Sequence, residues 1–182
     1  MHSILPHEEN PALREMAHDI PLSDITSSPL KRLIADMKAL LAKEDYGVAL
    51  AAPQVGESLR LFIVSGKAIQ KRSAKYADAD LEKNLDLSQE DGVYINPVLQ
   101  KMSRGKKDKH EGCLSVRGVW GLVPRAEKMT ITYYDEHGAK NTRGTSGFLA
   151  HIFQHELDHL QGVLYIDKAT KVYQDELTKG EK

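Results

Sequence analysis

The alternation of hydrophobic and polar positions predicts two main helices in this chain. Apolar residues recur at helical spacing over 30–41, after a serine and a proline that suit a helix N-terminus, and this helix should run to about Lys43. A second, more apolar helix is predicted over 148–161, where Gly162 suits a position just past the end. A short helix is also predicted over 12–18, directly after a proline.

Short apolar or alternating runs predict strands between these helices. The predicted strands are 59–65, 93–99, 129–134 and, after the second main helix, 163–166. Because the strands precede a long apolar helix, the pattern favours an α+β fold. We expect antiparallel strands that pack around a central helix.

The pattern contains no internal repeat and no sign of a second domain, so residues 1–182 are predicted to form a single domain. The polar stretch 66–91, weakly helical over 68–85, is predicted to be a surface insertion, and 168–182 a polar C-terminal tail. The tail could contain a terminal helix.

Composition and charge narrow the function classes. The chain is 41% hydrophobic and 28% charged with a net charge of −1, which gives no global electrostatic case for DNA or an anionic membrane. Its apolar runs are all shorter than a membrane span. Residues 1–9 are acidic and lack an apolar core, unlike a signal or transit peptide. We therefore expect a cytoplasmic protein.

The second main helix contains the clearest chemical motif, His-Glu-x-x-His. Residues four apart lie on one face of a helix, so His155 and His159 can bind the same metal ion. Glu156 follows the first ligand directly and can reach a water molecule on that metal. Two histidines leave the site incomplete, so the sequence must supply a third ligand.

Three positions compete for the role of third ligand. Metzincin proteases have a histidine six residues after the second one, but Tyr165 stands there. Glu176 lies near the distance typical of thermolysin-type proteases, within a polar segment. Cys113, the single cysteine, follows a glycine in an apolar segment and is the better candidate, although an inert buried thiol is an alternative.

Three segments of the chain together resemble the peptide deformylase family. They are Gly47-Val-Ala-Leu-Ala-Ala-Pro-Gln54, Glu111-Gly-Cys-Leu-Ser115 and Gln154-His-Glu-Leu-Asp-His159, in the family's order. The segments Leu122-Val-Pro-Arg125 and Ile95-Asn-Pro97 extend the resemblance, which spans roughly residues 4–166. The combination is far more specific than the histidine motif alone.

The resemblance implies removal of the formyl group from the N-terminal formyl-methionine of nascent polypeptides, with release of formate. It implies that Cys113, His155 and His159 bind the metal, with water as fourth ligand. The metal would be Fe²⁺, with Zn²⁺ or Ni²⁺ possible. The metal-bound water would be the nucleophile and Glu156 the general base. The side chain of Gln54 and the backbone N–H of Leu114 would stabilise the oxyanion.

The resemblance also implies how substrate binds. Formyl-methionyl peptides and nascent chains would be the partners, with a transient ribosome contact possible. The substrate backbone would pair in strand fashion with Gly112 and with the chain near Val48 and Ala49. The methionine side chain would enter a pocket lined by four residues, which are Val48, Phe148, His151 and Ile152.

Three residues depart from the family pattern. Ala49 replaces a second glycine, Trp120 stands where many members have arginine, and His151 occupies a usually aliphatic position. His151 shares a helix face with the two ligand histidines, so a fourth-ligand role is one alternative to a more polar methionine pocket. Asp158 cannot easily share that face, and we expect it to pair with Arg125 or to be a plain surface carboxylate.

Two other functions remain open. A zincin-like peptidase would use the same histidine motif to cleave internal peptide bonds. A degenerate deformylase-like protein would bind peptide ends without turnover because of Ala49 and Trp120. The presence of all three metal ligands and of Glu156 argues against degeneracy.

Overall fold

A computed structural model describes residues 2–69 and 90–174 of the chain. The helices are α1 (Ser28–Leu41), α2 (Gly147–His159) and the single-turn α3 (Tyr165–Lys168), with 3₁₀ turns at Pro11–Arg14, Leu22–Asp24 and Ala52–Val55. The strands are β1 (Ala49–Ala51), β2 (Leu61–Val64), β3 (Gly92–Met102), β4 (Lys106–Cys113), β5 (Val116–Ala126), β6 (Lys128–Tyr134), β7 (Lys140–Ser146) and β8 (Lys171–Gln174).

The strands form two sheets, and neighbouring strands in both run antiparallel. One sheet has five strands in the order β1-β2-β3-β6-β7, and the other has three in the order β4-β5-β8. Each of β1 and β4 therefore lies at the edge of its sheet. The combination of helices with antiparallel sheets agrees with the predicted fold class.

Helix α1 forms where the sequence predicted it and ends at Leu41, two residues early. The Ser27 hydroxyl accepts a hydrogen bond from Leu30 N–H at 3.4 Å, and Pro29 occupies the first turn, where its missing N–H is tolerated. The apolar face of α1 packs on β1 and β2. Its buried members are Leu30, Leu33, Ile34, Met37 and Leu41.

Helix α2 is buried along most of its length. Leu149, Phe153 and Leu160 are fully buried in a core that also includes residues of β1, β2, β3 and β6. Phe153 packs edge-on against Phe62 and Tyr94, with ring centroids 5.4 and 4.8 Å away. These contacts fix the axial position and rotation of α2, and therefore the direction in which its histidines point.

The termini differ from the prediction. The short N-terminal helix is a 3₁₀ turn at Pro11–Arg14. The strand predicted at 163–166 is wrong, because Asp167 accepts a hydrogen bond from Leu164 N–H and caps α3 instead. Residues 171–174 of the tail form β8, since the edge of β5 offers them a partner. The sequence of β8 alone shows little strand pattern.

The predicted insertion at 66–91 falls largely outside the described residues, as does the tail beyond 174. At its start, Ala68 and Ile69 are buried, so the chain leaves the core later than predicted. Within 2–69 and 90–174, no helix is long and apolar enough to cross a membrane.

Candidate active site

Helix α2 and the end of β4 bring a thiol and two imidazoles together. The His155 and His159 rings lie one turn apart on α2, with centroids separated by 4.8 Å. Cys113 Sγ, at the last position of β4, lies 3.4 Å from His159 Nε2. One ligand atom from each of the three residues lies within 4.8 Å of the others.

This cluster fits a divalent transition metal. Metal–ligand bonds of about 2.3 Å to sulfur and 2.0–2.1 Å to nitrogen, at a tetrahedral angle, place the two ligand atoms about 3.5 Å apart. The separation of 3.4 Å between Cys113 Sγ and His159 Nε2 agrees with that value. Thiolate and imidazole are also the ligand types that such metals prefer.

His151 does not join the metal cluster, although it lies one turn before His155. Its Nε2 is 2.9 Å from Glu111 Oε1 instead. Within the described residues, only Cys113, His155 and His159 form a group with metal-ligand spacing. This geometry favours a three-residue ligand set over the fourth-ligand alternative.

Glu111 contacts histidines of the site without belonging to the cluster of ligand atoms, a role that the sequence analysis did not predict. Its buried carboxylate accepts hydrogen bonds from Arg125 Nε and Nη2, and its Oε2 lies 2.8 Å from His155 Nδ1. This bond leaves His155 Nε2 available to a metal. Burial alone would raise the pKa of Glu111, but Arg125, His151 and His155 hold it well below its usual range. The sequence feature that could have indicated this role is the position of Glu111, two residues before Cys113.

Arg125 continues this network to the protein surface. Its Nη1 donates to Asp158 Oδ2 at 2.7 Å, so the predicted ion pair is present. The other oxygen of Asp158 accepts from Lys168 in α3. The network therefore connects β4, β5, α2 and α3 next to the cluster of Cys113, His155 and His159.

Glu156 is buried beside the cluster with an incompletely satisfied carboxylate. Its Oε2 and the Nδ1 of His159 have no hydrogen-bond partner in the described part of the chain. Burial, with the nearby negative charges of Glu111 and Asp158, raises the pKa of Glu156 to about 7 against the opposing effect of His155. Such a carboxylate can both accept and release a proton near neutral pH.

The two proposed oxyanion donors lie in turns that flank Cys113. Gln54 lies in the 3₁₀ turn after β1, where its Oε1 accepts from Ala51 N–H at 2.8 Å. This bond directs Gln54 Nε2 towards Cys113 Sγ, 3.4 Å away. Leu114 lies in the two-residue turn between β4 and β5, and its N–H makes no hydrogen bond to the described residues.

The predicted substrate-binding residues lie at different depths. Ala49 in β1 and Ile152 in α2 are buried in the core, and Val48 is half-buried beside them. Phe148 is 46% exposed, and its ring centroid lies 6.0 Å from that of His151. Gly112 lies in β4 directly before Cys113.

Comparisons with known proteins all point to one family. The family model described as polypeptide deformylase matches residues 1–175. A curated protein of Nostoc sp., peptide deformylase 2, is 36% identical over 181 residues, which cover 95% of this chain and 93% of that protein. A peptide deformylase of Desulforudis audaxviator is 36% identical over 90% of this chain and 91% of its own length.

Solved structures show the same fold. The crystal structure of a peptide deformylase from Legionella pneumophila superposes with a TM-score of 0.73 at 33% identity, covering 93% of this chain and 86% of that one. A peptide deformylase from Synechococcus elongatus in complex with actinonin gives a TM-score of 0.73 at 31% identity, covering 92% and 78%.

Proposed function

The chain belongs to the polypeptide deformylase family and is therefore a hydrolase that removes the formyl group from N-terminal methionine, and we propose that Cys113, His155 and His159 bind its metal. The observation that supports this proposal most directly is that a thiol and two imidazoles from separate elements lie together beside a buried glutamate with a raised pKa. We propose Fe²⁺ as the metal in the cell, with Zn²⁺ or Ni²⁺ able to bind the same ligands.

When bound, the metal would act as a Lewis acid that lowers the pKa of a coordinated water and polarises the formyl carbonyl. Glu156 accepts the proton that water loses as its oxygen attacks the formyl carbon. Glu156 then delivers this proton to the methionine nitrogen as the C–N bond breaks, which releases formate and the free amine. Burial raises the pKa of Glu156, so its carboxylate is a stronger base than that of an exposed glutamate.

Gln54 and Leu114 stabilise the negative charge that develops on the formyl oxygen. Ala51 N–H holds the Gln54 amide through Oε1, and Gln54 Nε2 lies 3.4 Å from both Cys113 Sγ and Ser115 Oγ, so that it would turn from these weak acceptors to the oxyanion. The Leu114 N–H lies in the turn next to Cys113, and backbone donors in a fixed turn need no reorganisation during the reaction. Loss of one such donor typically raises the barrier by about 3 kcal/mol.

Formylated peptides and nascent chains are the proposed substrates, held by the edge strands β1 and β4. Their backbone would extend along the edges of these strands at Ala49 and Gly112, with the methionine side chain directed towards Val48, Phe148, His151 and Ile152. In this proposal α2 is the central helix of a single catalytic domain. The place of action is the cytoplasm, where nascent N-termini emerge, with a transient ribosome contact as part of the proposal.

The test is formate release from a formyl-Met tripeptide by anaerobically purified protein, with metal content measured on the same sample. We expect stoichiometric metal, release of formate, and no cleavage of the peptide bonds of the tripeptide. Cleavage of an internal peptide bond would identify a zincin-like peptidase instead. Tight binding of the peptide without formate release would identify a degenerate binding protein.

A further inference from the structure

We propose that Trp120 determines a preference for substrates with an apolar residue directly after the formyl-methionine. The inference rests on the proposed function, and it concerns the part of the substrate beyond the reacting bond. Trp120 lies in β5, and 38% of its surface is exposed.

The Trp120 ring reaches from β5 across the neighbouring strand. A Cβ placed on Gly112 would lie only 3.2–3.4 Å from three atoms of the six-membered part of the indole. The ring therefore covers the backbone of β4 at the residue before Cys113. Glycine permits this approach because any larger residue at position 112 would displace the ring.

Position 112 is also where a bound chain should pair. The order β4-β5-β8 leaves the second edge of β4 without a partner strand among the described residues. A peptide whose formyl group lies at the Cys113 cluster can add to this edge through main-chain hydrogen bonds. Its backbone then runs past Gly112 with the Trp120 ring immediately beyond.

The alternation of side chains decides which substrate residue meets the ring. Glu111 and Cys113 face α2, because Glu111 contacts His155 and Cys113 contacts His159. Gly112 and the Trp120 ring therefore lie on the opposite face of the sheet. A methionine that enters the pocket on α2 leaves the next side chain pointing towards the Trp120 face.

The surroundings of Trp120 favour an apolar or aromatic side chain there. Its cross-strand neighbour is Tyr173 of β8, and the Tyr173 hydroxyl lies 2.5 Å from His110 Nδ1. The row of His110, Trp120 and Tyr173 is an aromatic surface. Contact between two aromatic side chains contributes about a twofold to tenfold preference, and burial of the ring adds to it, so a preference of roughly tenfold is the expected scale.

The test measures formate release from formyl-Met-X-Ser peptides in which X is alanine, leucine, phenylalanine or aspartate. For the wild type we expect kcat/KM to be roughly tenfold higher with phenylalanine than with alanine, through a lower KM. Trp120→Ala should remove this preference by lowering kcat/KM for the phenylalanine peptide towards the value for the alanine peptide. Trp120→Phe should keep part of the preference.

Val172→Ala provides the matched control, since it removes a 50% exposed apolar side chain from β8, the strand farthest from β4. It should keep the wild-type preference. A wild type that releases formate equally from all four peptides would overturn the inference alone, as would a preference that survives in Trp120→Ala. A metal-loaded wild type that releases no formate from any peptide would overturn the proposed function. If Trp120→Ala does not fold, the substrate preference of Trp120→Phe tests the inference instead.

Discussion

Glu156 is a buried carboxylate whose surroundings change its affinity for a proton. The residue is 3% exposed, and one carboxylate oxygen has no partner among the described residues. A buried polar atom without a partner destabilises the fold, and its position beside the Cys113, His155 and His159 cluster supports the proposed role as general base. The same burial raises the pKa of Glu156 into the range needed for proton transfer.

Replacement of this carboxylate should separate catalysis from metal binding. We expect Glu156→Gln to lower kcat for formate release by roughly a thousandfold, because the amide cannot accept the proton. Metal content, measured by elemental analysis, should remain that of the wild type. Glu127→Gln, at an exposed carboxylate paired with Lys107, is the control and should change neither quantity. Normal turnover in Glu156→Gln would exclude the proposed base.

His151 is the residue about whose role the structure adds most to the sequence-based prediction. The sequence placed it in the methionine pocket or among the metal ligands. Its Nε2 lies 2.9 Å from Glu111, whose other oxygen contacts His155. This contact disfavours the fourth-ligand alternative, and the pocket role stays a proposal. One carboxylate thus compensates two histidines of the same helix face, which explains how an imidazole is tolerated at a position that is 9% exposed.

Among the secondary-structure elements, β5 has the most consequential side chain, Arg125. It is 3% exposed and bonds both Glu111 of β4 and Asp158 of α2. A buried ion pair need not stabilise a fold relative to apolar packing, but loss of one partner leaves the other charge uncompensated. Arg125 therefore connects β4 to α2, the two elements that contain the proposed metal ligands.

We expect Arg125→Ala to reduce the free energy of unfolding by about 3 kcal/mol, since Glu111 would remain buried with its strongest partner gone. The measurement is urea denaturation followed by circular dichroism. Arg117→Ala is the matched control, because Arg117 forms an exposed pair with Glu44 and such pairs contribute less than about 1 kcal/mol. Equal losses in the two variants would contradict the role given to Arg125.

The end of α2 requires a glycine for two reasons. Gly162 has φ of 71°, and a Cβ there would lie 2.8 Å from the Arg14 carbonyl carbon. Gly138 has a similar φ of 85°, but a Cβ placed on it would have no atom of the described residues within 4 Å. Comparison of the two isolates the effect of the close backbone contact.

We expect Gly138→Ala to lose about 1–2 kcal/mol of unfolding free energy from its left-handed backbone alone. Gly162→Ala should lose clearly more, because the N-terminal turn must also move away from α2. Denaturant titration of both variants gives the difference. Identical losses would show that the contact between α2 and the N-terminal turn adds nothing.

For the whole molecule, a bound metal would connect the three-stranded sheet to α2. Cys113 ends β4, whereas His155 and His159 lie in a helix whose core contacts are mainly with the five-stranded sheet. A ligand that binds only the folded state stabilises it, by about 2.7 kcal/mol at a hundred times its Kd. The metal should therefore act as a structural link as well as a reagent.

Removal of the metal with a chelator should abolish formate release and lower the melting temperature by roughly 5–10 °C, the shift expected for a domain of this size. Readdition of Zn²⁺ or Ni²⁺ under anaerobic conditions should restore both. In Cys113→Ser the melting temperature should respond much less to added metal, since the thiolate is lost. A wild-type melting curve that ignores chelator and metal would contradict the assigned ligands.

The sequence by itself determined the features that depend on local spacing. Helix α1 follows from its cap and its apolar period, and the i, i+4 spacing puts His155 and His159 on one face. The resemblance to the family motifs also led to the prediction of Cys113 as third ligand, and the structure places its Sγ 3.4 Å from His159 Nε2. These features are encoded within a few residues, so no tertiary information was needed to find them.

The tertiary structure alone decided which distant residues meet. The contact of Glu111 with His151, His155 and Arg125 joins three elements, and no local pattern specifies it. The pairing of β8 with β5 and the reach of Trp120 over Gly112 likewise depend on sheet order. Such contacts arise because apolar burial brings elements together, and only that packing determines which charges and rings become neighbours.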